Sequence, residues 1–175
     1  MTMTATYRIR QGLRALFAFS QPVDDDLAAQ HLTPELLACF RAMRRSEQLH
    51  SLHVLRTVLA QGSTPPDLAV AALLHDAGKS RYAFPVWQKT LVVLVRAFAP
   101  RLFERLSSGS ETNWLHRPFV LSVHHPAWSA EQVAAAGGSE GTVWLIAHHA
   151  DPPDRWRDHP QAHLLQRLRA ADDAN

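Results

Sequence analysis

Apolar positions recur at helical spacing along almost the whole chain. In TPELLACFRAMRR, Thr33 is placed to cap a helix and Pro34 takes its first position, while Leu36, Leu37, Phe40 and Met43 return every three or four residues. SEQLHSLHVLRTVLAQG repeats the pattern through Leu49, Leu52, Leu55, Val58 and Leu59, with Ser46 as the expected cap and Gly62 as the stop. TPPDLAVAALLHDAGK starts on Thr64, Pro65 and Pro66 and runs to Gly78. PVWQKTLVVLVRAFAPRLFERL predicts a long helix kinked or split at Pro100. Further helices are predicted from Glu111 to about His124 and from Ser129 to Ala136, the latter stopped by Gly137 and Gly138. Two more are predicted, from a Ser139 cap to about His149 and from Pro160 to about Ala171. DPPDRWRDHP, 151–160, is expected as a loop.

No segment alternates with period two, and no hairpin dipeptide separates two such segments. The expectation is an all-α fold, a compact helical bundle with short connections. At 175 residues without a long linker, one structural domain is expected. N-terminal helices over 1–45 would pack on a chemistry-bearing part over 46–175.

Composition narrows the class. Hydrophobic residues make up 46% and charged residues 19%, which suits a packed core. The net charge of +2 is too small to argue for a nucleic-acid duplex as partner. Cys39 stands alone, so no internal disulfide can form and a reducing, cytoplasmic setting is expected. LVVLVRAFA contains Arg96 and lies between Pro85 and Pro100; it is too short to span a bilayer and is expected as a buried or half-buried helix, with no membrane partner. Near the N-terminus, Arg8, Arg10 and Arg14 lead into ALFAF, a run short enough to predict an amphipathic helix rather than a signal peptide.

Histidine changes the picture. Eleven are present, several of them at the ends of apolar runs. The helix ending in LLHDAGK places His75 and Asp76 where the helix dipole is negative, so the carboxylate needs a positive neighbour, either Lys79 or a metal ion. His50 lies early in the preceding helix. If the two helices run antiparallel across QGSTPP, His50 and His75 arrive at the same end of the pair. His124–His125 precede Pro126, and His148–His149 come after TVWLIA.

Taken together, HSLHVL, then LLHDAGK, then a late Asp resemble the HD-domain superfamily of metal-dependent phosphohydrolases, from His50 to Asp173. HPAWSAEQVAAAGGSEGTVWLIAHH is similar to a segment of many such proteins. The resemblance implies metal ligands His50, His75, Asp76 and a late Asp, for which Asp172 is preferred over Asp173 and Asp151. His125 and His149 complete a two-metal version, in preference to His124 and His148. His53 and His116 are left as pocket-lining or solvated groups; His31, His159 and His163 are expected at the surface.

An all-His/Asp set suits one or two divalent ions among Mn, Fe, Co, Ni, Zn and Mg without choosing between them. In the two-metal version Asp76 would bridge ions about 3.5–4 Å apart that activate water. Lys79 would contact a phosphate or compensate the helix end. The implied activity is hydrolysis of a phosphoester or phosphoanhydride in a small phosphorylated substrate such as a nucleotide. A regulatory module that binds metal or nucleotide without turnover, and a di-iron oxygenase, are the alternatives. HHADPPDRW stands where cyclic-dinucleotide enzymes of this type carry Gly-Tyr-Pro, which argues against that substrate.

Overall fold

Helices build the whole of the structure, a computed structural model that describes residues 22–83 and 85–175. The amphipathic helix expected around Arg8–Phe19 lies outside the described residues. Among the described residues the order is α1 (Asp25–Ala29), α2 (Pro34–Ala42), α3 (Arg45–Ala60), α4 (Pro66–Leu74), a 3₁₀ turn (Ala77–Arg81), α5 (Val86–Phe98) and α6 (Pro100–Ser107). Then come α7 (Arg117–Ala135), α8 (Glu140–His148), a second 3₁₀ turn (Pro153–Trp156) and α9 (Ala162–Ala174). No strand occurs among them, so the chain is all-α as expected.

The core is organised around α4. Leu68 to Leu74 are all buried, because α3, α8, α9 and α2 pack around the helix. A helix that is apolar on every side is stable only in such a position. Phe40, Leu52, Leu55, Val58, Leu145, Ile146 and Leu168 pack with it. A smaller cluster of Val92, Phe103, Phe119 and Leu121 fastens α5 and α6 to α7.

Local chemistry sets most ends. Thr33 and Ser139 accept hydrogen bonds from the backbone N–H groups of Leu36 and Thr142, capping α2 and α8 as expected. Gly137, with φ of 82°, stops α7. Pro100 splits α5 from α6.

Four expectations are corrected. Ser46 does not cap α3: Met43 and Arg44 are extended, Met43 is buried, and the helix starts at Arg45. The helix expected from Glu111 begins only at Arg117. Pro118 then falls in the first turn, where its missing N–H is harmless, and Leu115 N–H bonds Asn113 Oδ1 in the turn before it. The helices expected on either side of Pro126 are one continuous helix. The run LVVLVRAFA is not a buried helix: on α5, Val92 is buried, whereas Trp87, Leu91, Val93, Leu94 and Phe98 face water.

Candidate metal centre

Three helix ends and two helix faces meet at one point. Near its start α3 carries His50, and α4 ends at His75 and Asp76. The middle of α7 presents His125, the end of α8 presents His149, and the last turn of α9 presents Asp172. The imidazole centroids of His50 and His75 are 5.5 Å apart, those of His75 and His149 5.0 Å, and those of His125 and His149 5.3 Å. His50 Nε2 lies 2.9 Å from Asp172 Oδ1. His75 Nε2 lies 3.5 Å from the same oxygen and 3.6 Å from Asp76 Oδ2. The other Asp76 oxygen, Oδ1, faces His125 Nε2 at 3.5 Å and His149 Nε2 at 4.0 Å.

Three overlapping groups therefore have ligand atoms within 4.8 Å of one another: His50, His75 and Asp76; His75, His149 and Asp172; Asp76, His125 and His149. Asp76 belongs to two of them, with one oxygen turned to each side.

The rings are aimed by backbone carbonyls that their helices leave open. His75 Nδ1–H donates to Ala72 O at 3.1 Å, and His149 Nδ1–H to Ile146 O at 2.7 Å. Both carbonyls belong to the last turn of a helix, where no further helical donor is available. His125 achieves the same in mid-helix because of Pro126. Proline has no N–H, so the Ser122 carbonyl four residues back loses its helical donor, and His125 Nδ1–H takes it at 3.2 Å while also reaching Leu121 O at 3.2 Å. All three rings are thereby held with bare Nε2 atoms pointing inward, the arrangement of a metal-binding imidazole fixed by its outer nitrogen.

The inward atoms are not satisfied by the protein. His75 Nε2 and Asp76 Oδ1 are buried and lack hydrogen-bond partners among the described residues. Each buried polar atom left in that state costs about 1–3 kcal/mol. A divalent cation accepts lone pairs from both, so the donor set fits the ion that the sequence implied.

The charges point the same way. Burial works against ionisation of Asp76, but Lys79 and the surrounding imidazoles overcome it and hold the carboxyl well below the usual carboxylate range. Burial would lower His75, yet Asp76 and Asp172 raise it to about 9, so a proton occupies the place of positive charge. Burial and the nearby Lys79 push His125 down to about 3; burial and His75 push His149 down to about 4. Asp172, although partly desolvated, is lowered by His75 and His50.

Lys79 Nζ sits 2.7 Å from Asp76 Oδ2, supplying the positive neighbour that a carboxylate at a helix end needs. Gly78 makes the approach possible. A Cβ there would lie 2.6 Å from His125 O and 2.7 Å from Ser129 N, and its N–H donates to the buried Ser129 hydroxyl at 2.8 Å. The 3₁₀ turn can press against α7 only without a side chain at this position, and that contact brings Asp76 to His125.

The remaining candidates fall elsewhere. Asp151 accepts from His148 Nδ1 at 2.8 Å and from the Trp156 indole at 2.7 Å, so both members of that pair are turned away from the cluster. His124 is exposed and stacks on Trp128. Asp173 is exposed and His53 half-buried, and neither belongs to the three groups. His116 precedes α7 and packs against Gly109, where a Cβ would collide with its ring. His159, expected at the surface, is instead half-buried and stacked on Trp144 at 3.7 Å between centroids; its aromatic partner is twelve or more positions away in sequence, which hid the contact.

Glu47 was missed. It is buried one helical turn before His50, its carboxylate paired with Lys89 of α5, and it helps to raise Lys79 above the ordinary lysine range. Its spacing of three from His50 was the available signal.

With this geometry in place, comparison with known families gives one match: the HD domain, over residues 49–174. That span is most of the chain and includes all six clustered residues, and the chain belongs to the HD-domain family. No curated protein and no solved structure matches it.

Proposed function

We propose that this HD-domain chain is a metal-dependent phosphohydrolase, cleaving a phosphoester or phosphoanhydride of a nucleotide or another small phosphorylated metabolite in the cytoplasm. The supporting observation is the set of inward Nε2 atoms around Asp76, in which the buried His75 Nε2 and Asp76 Oδ1 have no hydrogen-bond partner among the described residues. His50, His75, Asp76, His125, His149 and Asp172 would hold the ion or ions. A bound divalent cation supplies an activated water and positive charge for phosphoryl oxygens.

The chain's own residues account for the rest. The carbonyls of Ala72, Ser122 and Ile146 keep three imidazoles in one tautomer, so no reorganisation is needed when an ion or substrate arrives. Asp76 remains ionised at any working pH because Lys79 stands beside it. Lys79 is 24% exposed, so its ammonium can turn to an incoming phosphate while the carboxylate is engaged elsewhere.

The test is phosphate release from a panel of nucleotides and small phosphoesters with Mn, Fe, Co, Ni, Zn or Mg. Turnover of at least one substrate is expected, falling by about 10²-fold or more in Asp76→Asn, the scale of losing a group that stabilises transition-state charge. Ligand-induced stabilisation with the ligand recovered intact would contradict hydrolysis in favour of a regulatory module. Oxygen consumption with substrate would contradict it in favour of oxidative chemistry.

A further inference from the structure

The water-facing side of α5 carries the wrong residues for water. Trp87, Leu91, Leu94 and Phe98 are spaced i, i+4, i+7 and i+11, which lines them along one stripe, and Leu102 of α6 lies four residues further on. Trp87 is 60% exposed and Phe98 84%. Val93 and Ala97 flank the stripe and are exposed as well. Among the described side chains of α5, Arg96 is the one charged residue at an exposed position. The packed side of the helix is made by Val92 and Val95 against Phe103, Phe119 and Leu121.

Cations rim this face. Arg96 lies over the Phe103 ring at 5.4 Å, and Arg101 and Arg105 are exposed on α6 beside the single acid Glu104. Over residues 86–107, Lys89, Arg96, Arg101 and Arg105 oppose Glu104, a net +3 that exceeds the whole chain's +2. The remainder of the protein is thus slightly acidic, and its positive charge is concentrated around its most exposed apolar side chains.

We propose that α5 and α6 form a peripheral docking face for an anionic phospholipid bilayer. Aromatic and leucine side chains enter the headgroup–acyl boundary while flanking arginines meet lipid phosphates. Charge complementarity selects this occupant. A second copy docked on the stripe would set Arg96, Arg101 and Arg105 near their own counterparts. It would also have to build its interface around a single narrow stripe, against some 20–30 residues a side in a stable protein interface. No described helix is long and apolar enough to cross a membrane, so the contact is peripheral. This departs from the expectation of no membrane partner, which rested on the shortness of the apolar runs. It stands independently of the metal centre.

The experiment is flotation of the full chain with vesicles of phosphatidylcholine alone or phosphatidylcholine mixed with phosphatidylglycerol. Binding to the anionic vesicles only, weakened by salt, is expected. Phe98→Glu and, separately, Leu94→Glu reduce the partition by about tenfold or more, since each removes a large buried apolar group and adds a repelled charge. Both side chains are exposed, so helix content and melting temperature stay at the parent values. Arg101→Glu with Arg105→Glu abolishes the preference for anionic lipid. Absence of binding to anionic vesicles overturns the proposal, as does binding that Phe98→Glu and Leu94→Glu leave unchanged. A concentration-dependent dimer that Phe98→Glu dissociates, without vesicle binding, overturns it in favour of a second copy. Capture of an acidic protein in place of vesicles overturns it in favour of a protein partner.

Discussion

Two apolar helices of this chain look alike in sequence and do opposite things. In α4, DLAVAALL lies inside a ring of four helices and ends on His75 and Asp76. In α5, LVVLVRAF rests on α6 and α7 and turns Leu94 and Phe98 to solvent. Apolar content alone does not distinguish burial from display. The two helices differ in where each delivers the chain. α4 leads to Gly78, which lets the backbone press against α7, whereas α5 leads to Pro100, which turns the chain straight into a second amphipathic helix.

The sharpest test of that contrast is a pair of truncations. Leu73→Ala removes a fully buried side chain and is expected to destabilise by about 2–5 kcal/mol. Leu91→Ala, on the exposed stripe, is expected to stay within about 0.5 kcal/mol. Urea unfolding curves of both variants measure the difference, and equal losses would mean that α5 is covered in solution.

Gly78→Ala probes the hinge between core helix and site. The added methyl meets backbone of His125 and Ser129 at under 3 Å, so α7 must retreat. A loss of about 1–3 kcal/mol is expected, together with weaker metal binding, because Asp76 and His125 separate. Unchanged stability and affinity would break the link drawn between that glycine and the site.

The site's charges predict how the metal-free protein responds to pH. His125 and His149 stay neutral in the fold down to about 3 and about 4, while the unfolded chain protonates its imidazoles near 6.5. The unfolded state therefore binds more protons in that window, and stability falls as pH drops from about 6.5 towards 4. His75 has the opposite sign. Raised to about 9, it contributes stability in full below about 6.5 and loses it as pH rises through about 9. Unfolding curves in a chelator, taken across pH 4–10, should show a maximum between these limbs. A mutant with His125 and His149 replaced by Gln should lose the acid limb.

The smallest expected effect is Pro126→Ala. It restores a backbone N–H that competes with His125 Nδ1–H for the Ser122 carbonyl. Helix stability should rise slightly while metal affinity drops by about tenfold, the lower end for losing a group that orients a ligand. Isothermal titration of both proteins separates the two effects.

Much of this was legible from the residues. Helix type could be read from period and caps, as at Thr33 and Ser139, because local chemistry decides those ends. The convergence of His50 with His75 could be read from two helices joined by a short turn. Asp172 was preferred over Asp151 by resemblance, and geometry brings Asp172 to His50 while Asp151 is committed to His148 and Trp156. Three things were hidden. Pro126 signals a break by its backbone chemistry, yet a neighbouring ring fills the missing bond. Glu47 is buried by Lys89, forty-two residues away in sequence, and no local pattern announces such a pair. The display of α5 depends on what fails to pack over it, which lies outside any window of its own sequence.

The central claim is that the inward imidazoles and carboxylates hold a divalent metal, and elemental analysis of the purified full chain tests it most directly. The prediction is one or two transition-metal ions per chain that survive gel filtration, with loss of metal in Asp76→Asn while the fold is retained. A chain that purifies without metal, fails to take up any of the six candidate ions and gains no thermal stability from them would contradict it.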